Sequence, residues 1–152
     1  MTAIVDGDKL IAAIRARGVE SSDLRYCAHE AHHALVCGVR KPWTNEAIDA
    51  AMRRTFKMYT LRFCDEIRAR AVEQIICRRA GVDCGSVERW ALVTSMECMK
   101  IDRVNVGDPS GIAAAVERQI VSPRTIAMAD AVIALVNAPT KRRRKPAAEA
   151  RP

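Results

Sequence analysis

A mainly α-helical single domain is the fold class this sequence predicts, on three observations. Apolar residues recur at helical spacing in six or seven segments, and no segment alternates apolar and polar residues over the length of a sheet strand. Gly, Ser-Pro and Lys-Pro steps punctuate the segments. Of the 152 residues 49% are apolar but only 4% aromatic. A chain of this length buries roughly two thirds of its unfolded surface, and a core of Ala, Val, Ile, Leu, Met and Cys suits closely approaching helices.

Leu10, Ile11 and Ile14 predict a first helix over Lys9 to Arg17, stopped at Gly18. Ser21 and Ser22 can cap a second, from about Asp23 to Val39, whose apolar stripe includes Leu24, Cys27, Ala28, Ala31, Leu35 and Val36. Gly38 and the Lys41-Pro42 pair end it. Thr44 caps a third through Ile48, Met52 and Phe56, which continues or bends near Tyr59-Thr60 into a fourth over Leu61 to Arg79, stopped at Gly81. Ser86 begins a fifth, through Trp90, Leu92 and Met96 to about Met99. Asn105, Gly107, Asp108 and Pro109 make Val104 to Gly111 a loop, and Ile101 to Val106 is the one short strand candidate. Ser110 opens a helix to about Ile120, and Ser122-Pro123 fits the cap and first turn of a last one through Ile126, Ala129, Ile133 and Val136. Met52, Met58, Met96 and Met99 are expected to fill the core, and Trp43 and Trp90 to anchor it.

The net charge of +7 is concentrated at one end. Lys141, Arg142, Arg143, Arg144, Lys145 and Arg151 stand there against Glu149 alone. The expected division is a helical domain over residues 1–139 and a basic disordered tail over 140–152. Such a tail can neutralise nucleic-acid phosphates without reading base sequence, or simply aid solubility. No secretory start is visible and no apolar stretch reaches the roughly 20 residues of a membrane span. A cytoplasmic location without a membrane partner is therefore expected. The six cysteines include no Cys-x-x-Cys pair and are expected to be reduced. Oligomeric state is left open.

All three histidines fall within His29-Glu30-Ala31-His32-His33. His29 and His33 are one helical turn apart, so both imidazoles project from one face, where two ring nitrogens and a carboxylate suit zinc with a fourth position open to water. Glu30, beside the first imidazole, is placed to take that water's proton. His32 lies about 100° around the helix from His33 and cannot replace it in the same geometry. The plain alternative is that these are ordinary polar residues of a helix face, since many chains carry the pattern without metal.

The stretch Tyr26-Cys27-Ala28-His29-Glu30-Ala31-His32-His33-Ala34-Leu35-Val36 resembles the active-site helix of zincin metallopeptidases. In many of them it reads His-Glu-Ala-Gly-His-Ala-Leu, and His32 takes the Gly place. Several zincin groups draw a third ligand from a Glu-x-x-Ala stretch on a second helix, which Glu66-Ile67-Arg68-Ala69 matches. Asp65-Glu66 followed by Ile76-Cys77-Arg78-Arg79-Ala80-Gly81-Val82 is similar to the metallopeptidase domains of phage and plasmid antirestriction and polyvalent proteins. The resemblance spans roughly Arg25 to Asp83. It implies zinc held by His29, His33 and Glu66, a water deprotonated by Glu30, and hydrolysis of a protein or peptide substrate, with Tyr59 or His32 as a helping donor.

Arg70 departs from that pattern, whose corresponding place usually holds Asp, Asn or Glu. A cation there is expected to weaken metal binding or to pair with Glu66 or Glu73. Glu73, two turns after Glu66, is the second choice of third ligand, and Cys27 or Cys37 a soft extra one. Both glutamates are alternatively exposed acids paired with Arg70 by helical spacing. No strand is expected that could hold an extended substrate, whereas zincins use an edge strand for this. The competing expectation is a non-enzymatic helical module that binds protein or nucleic acid and carries a structural or vestigial metal site.

Overall fold

The computed structural model describes residues 4–138. Its elements are α1 (Gly7–Arg15), α2 (Leu24–Val36), α3 (Asn45–Thr55), α4 (Tyr59–Ala80), α5 (Val87–Glu97), a π-helical turn (Cys98–Asp102), α6 (Pro109–Ile120), α7 (Pro123–Ile133) and a closing 3-10 turn (Ala134–Asn137). The described residues contain no strand. The basic run expected as a tail lies outside them. No single described helix is long and apolar enough to cross a membrane.

Helix starts follow local chemistry. Side chains of Asp6, Asp23, Thr44 and Ser86 each accept a bond from a backbone N–H in the first turn of the helix that follows. Asp23, not Ser21 or Ser22, is therefore the cap of α2; Ser21 Oγ instead accepts from Asp23 N at 3.1 Å. Pro109 and Pro123 sit at the first position of their helices, where the missing N–H costs nothing. Asp108 rather than Ser110 holds the cap position of α6. Gly81 ends α4 in the left-handed region at φ 69°, and the N–H groups of Gly81 and Val82 return to the Arg78 and Cys77 carbonyls.

Two expectations are corrected. Ile101 to Val106 makes no strand: Ile101 and Asp102 finish the π-helical turn, and Val104 N donates to Cys98 O at 3.1 Å. With no neighbouring strand available, the backbone finds its partners locally. Of the four methionines expected in the core only Met52 is buried, while Met58, Met96 and Met99 are exposed.

The central element is α4, which packs against α2, α6 and α7. Every residue from Ala69 to Cys77 is buried, so this stretch is enclosed on all sides. One core cluster joins α1, α2, α4 and α7 through Leu10, Ile14, Ala28, Val72, Ile76 and Val132; a second joins α4 to α5 and α6 through Ala71, Ala91, Ile112 and Val116. Ala28 and Ala31 on α2 and Ala69 on α4 are completely buried, and their small side chains let the two helices run close together. That approach brings the histidine face of α2 onto the acidic residues of α4.

The turn after α1 is equally tight. Gly18 has φ 117°, and a Cβ there would lie 2.7 Å from Trp43 N, which itself donates to Arg17 O at 2.7 Å. Gly18→Ala is expected to lower stability by more than about 1 kcal/mol, because it combines a left-handed φ with a backbone clash. Urea unfolding reads this loss. Metal content should be unchanged, since the atoms that a Cβ would meet there belong to Pro42 and Trp43.

Candidate metal centre

Polar residues on an enclosed helix must be satisfied from neighbouring elements, because an unpaired buried charge or dipole is costly. On α4 those residues are Asp65, Arg70, Glu73 and Gln74, and three of them lead directly or through one partner to the α2 histidines. Asp65, completely buried, accepts from His32 Nε2 at 3.1 Å and from His33 Nδ1 at 2.8 Å. Glu73 accepts from His29 Nδ1 at 2.6 Å with one oxygen and pairs with Arg70 through the other. Arg70 in turn stacks on the Trp90 ring, its guanidinium carbon 4.8 Å from the ring centre. The expected choice for Arg70 thus resolves to Glu73.

These second partners fix the tautomers of the two outer histidines. A carboxylate can only accept, so Nδ1 of His29 and Nδ1 of His33 both carry hydrogen in those bonds. In the neutral rings both Nε2 atoms are then bare lone pairs. They face each other at 2.9 Å, and Glu66 faces them both, Oε2 at 2.9 Å from His29 Nε2 and Oε1 at 2.9 Å from His33 Nε2. Two imidazole nitrogens and a carboxylate converging this closely are satisfied by a proton or by a metal ion between them.

The close pairing of histidines with carboxylates shows in their acid–base balance. Burial opposes charge on His29, but its bonds to Glu66 and Glu73 overcome this and push it up to about 10. Burial likewise opposes charge on His33, and its bonds to Asp65 and Glu66 raise it above the usual imidazole range. Burial would raise Asp65 and Glu66, yet their histidine partners hold Asp65 down at about 2 and Glu66 lower still than an ordinary carboxyl. His32 shifts the other way, because burial outweighs its bond to Asp65, so it is neutral.

His29, His33 and Glu66 form a group that can hold a metal ion. Donors of a tetrahedral zinc, with bonds of about 2.0–2.1 Å, lie about 3.3–3.4 Å apart. The observed 2.9 Å separations need to open by only a few tenths of an ångström. Each histidine is already turned by a carboxylate on its far nitrogen, the support that metal-bound imidazoles usually have. A second group, His32, His33 and Asp65, is also close enough to ligate. There, however, all three side chains are at most 3% exposed, so this group lies deeper than the first.

A cleft of about 500 Å³ opens beside the first group, and Glu30, His33, Glu66, Tyr59, Arg53 and Arg62 contribute to its walls. Glu30 is half-buried there, and burial raises its carboxyl above the ordinary range despite the opposing pull of His29 and His33. Neither Arg53 nor Arg62 is in an ion pair among the described residues.

The sequence-predicted residues His29, His33, Glu66 and Glu30 are thus brought together. Glu73, the second choice of third ligand, stands behind His29 on the opposite ring nitrogen and orients it. Of the two helping donors, His32 is tied to Asp65, and Tyr59 gives its hydroxyl hydrogen away from the centre, to Asp102 Oδ2 at 2.9 Å or Cys98 Sγ at 3.2 Å. Cys27 and Cys37 are outside both donor groups; Cys27 Sγ donates to Ser21 O and Cys37 Sγ to the Met52 sulfur. Asp65 was legible only as half of an acidic pair. Its spacing with Ala69, Val72 and Ile76 carried the missing signal, because an acid on a stripe of buried residues must meet a partner.

Compared with known proteins, the chain matches no family model, no curated protein and no solved structure.

Proposed function

We propose that the chain is a zinc-dependent hydrolase of the metallopeptidase type, with His29, His33 and Glu66 as the metal ligands and Glu30 as the proton carrier. The observation that carries this reading is the pair of histidines whose Nδ1 atoms are bound by Glu73 and Asp65 while both Nε2 atoms converge on Glu66. Zinc at such a site supplies an acidified water and polarises a carbonyl. The residues of the chain do the rest. Glu73 and Asp65 hold the imidazoles in register. The Glu30 carboxylate, kept partly out of water and raised in pKa, accepts a proton from the attacking water and returns it to the leaving nitrogen. Arg53 and Arg62, unpaired on the cleft wall, can hold carbonyl or carboxylate groups of a peptide.

Zinc over other divalent metals rests on the donor set of two imidazoles and one carboxylate. Glu30→Gln is expected to keep one metal per chain and lose about 10²- to 10⁴-fold in peptide hydrolysis. Cleavage of a randomised peptide mixture, followed by mass spectrometry, reads it. Equal cleavage by the variant would exclude Glu30 as the proton carrier.

One observation favours a second reading. The described residues contain no strand on which an extended peptide could be held. A metal that only ties α2 to α4, in a module that binds protein or nucleic acid, accounts for that. Its mark is a native chain that holds zinc tightly, loses stability on chelation and cleaves nothing in the same mixture.

A further inference from the structure

A second, smaller pocket of about 60 Å³ opens where the start of α7 meets α2 and α4. It is several times the least volume that admits a water and far too small for a peptide. Arg68 of α4, Arg124 and Thr125 of α7, and His32 and Asp65 are among its walls. Three features of these residues converge on one kind of ligand.

The first is charge. Arg68 and Arg124 are in no ion pair among the described residues. Asp65, the one acid in the wall, already accepts from His32 and His33. The second is the α7 terminus. Pro123 has no N–H and Ser122 makes no side-chain cap, so the N–H groups of Arg124 and Thr125 begin an eleven-residue helix without one. Thr125 spends its hydroxyl hydrogen on Gln119 Oε1 at 2.7 Å, which leaves its oxygen as an acceptor.

The third feature narrows the ligand. His32 is 2% exposed, and its bond to the Asp65 carboxylate places the hydrogen on Nε2. In the neutral ring its Nδ1 is then a lone pair, and that atom is buried without a hydrogen-bond partner among the described residues. The pocket thus offers several donors together with buried acceptors, and a ligand that fits must bring negative oxygens and one hydroxyl. Hydrogen phosphate has both; sulfate at neutral pH has no hydroxyl.

We propose that this pocket binds a small hydroxylated oxyanion of the phosphate class, held by Arg68, Arg124 and the first N–H groups of α7, with its hydroxyl donated to His32 Nδ1. The proposal does not depend on the hydrolase reading, although His32, Asp65 and His33 join the two sites by continuous hydrogen bonds.

Isothermal titration of the full chain in 0.2 M sodium chloride tests it, with inorganic phosphate as the probe and sulfate as the comparison. Arg124 is exposed, so Arg124→Gln should fold normally, and Arg68→Gln provides a second, independent change. The expected result is one phosphate per chain, at least ten-fold weaker sulfate binding, and at least ten-fold weaker phosphate binding in each variant. No phosphate binding by the folded native chain overturns the proposal. So does sulfate binding of equal strength, or phosphate binding that neither variant weakens, which would mark an adventitious ion only.

Discussion

Asp65→Ala is expected to lower the stability of the fold by about 3–5 kcal/mol, the cost of removing one partner from a buried, hydrogen-bonded charged group. Asp65 is completely buried and is, among the described residues, the only partner of His32 Nε2 and His33 Nδ1. Without it two imidazoles on an enclosed helix face lose their acceptor at once. Urea unfolding measures the loss. Asp65→Asn separates folding from metal binding, because the amide keeps the volume but turns one acceptor into a donor aimed at an N–H. In that variant zinc affinity should fall about 10- to 100-fold, the usual effect of removing a carboxylate behind a histidine ligand. A competing chelator reads the affinity. Unchanged zinc binding in a folded Asp65→Asn chain would mean that the carboxylate does not orient His33.

Purified without an affinity tag, the native chain is expected to carry one zinc, and removing it should destabilise the fold strongly. At free zinc a thousand times the dissociation constant, binding contributes about 4 kcal/mol. Thermal melts before and after chelation show this as a large downward shift. His33→Ala and Glu66→Gln should each abolish stoichiometric binding, since each removes a donor from the converging set. Glu73→Gln gives the decisive contrast. If Glu73 acts on the far nitrogen of His29, as the 2.6 Å bond to Nδ1 places it, the variant should still take up one zinc, with weakened affinity. Loss of zinc in Glu73→Gln with retention in Glu66→Gln would exchange the two roles. A folded native chain that takes up no zinc at all would leave the α2–α4 cluster as a network of ion pairs.

Much of the fold was legible in local patterns. Thr44, Ser86 and Pro123 mark the starts of α3, α5 and α7, and Gly81 marks the end of α4, because caps and breakers act within a few residues. Less legible were features whose cause lies far along the chain. The methionines of α5 and the following turn have an apolar look at helical spacing, yet Met96 and Met99 are exposed, since periodicity names a face without saying whether another element covers it. Ile101 to Val106 had strand-forming residues but nothing to pair with.

The candidate site divides in the same way. His29, Glu30 and His33 are one helical turn, so their common face follows from the helix alone. Glu66 came into view by resemblance to a known pattern. The pairing of Arg70 with Glu73 was one of the expected outcomes of helical spacing, but the bonds of Asp65 and Glu73 to the histidines were not, because spacing along α4 gives no sign of which nitrogen of which histidine a carboxylate will meet. By itself, then, the sequence determined that the chain is helical and that two imidazoles share a face of α2. Only the tertiary structure decided that α4 crosses that face closely enough for Asp65 and Glu73 to take the Nδ1 hydrogens. The physical reason is that a helix sets directions within one element, whereas tautomer, charge and the convergence of lone pairs depend on distances between two.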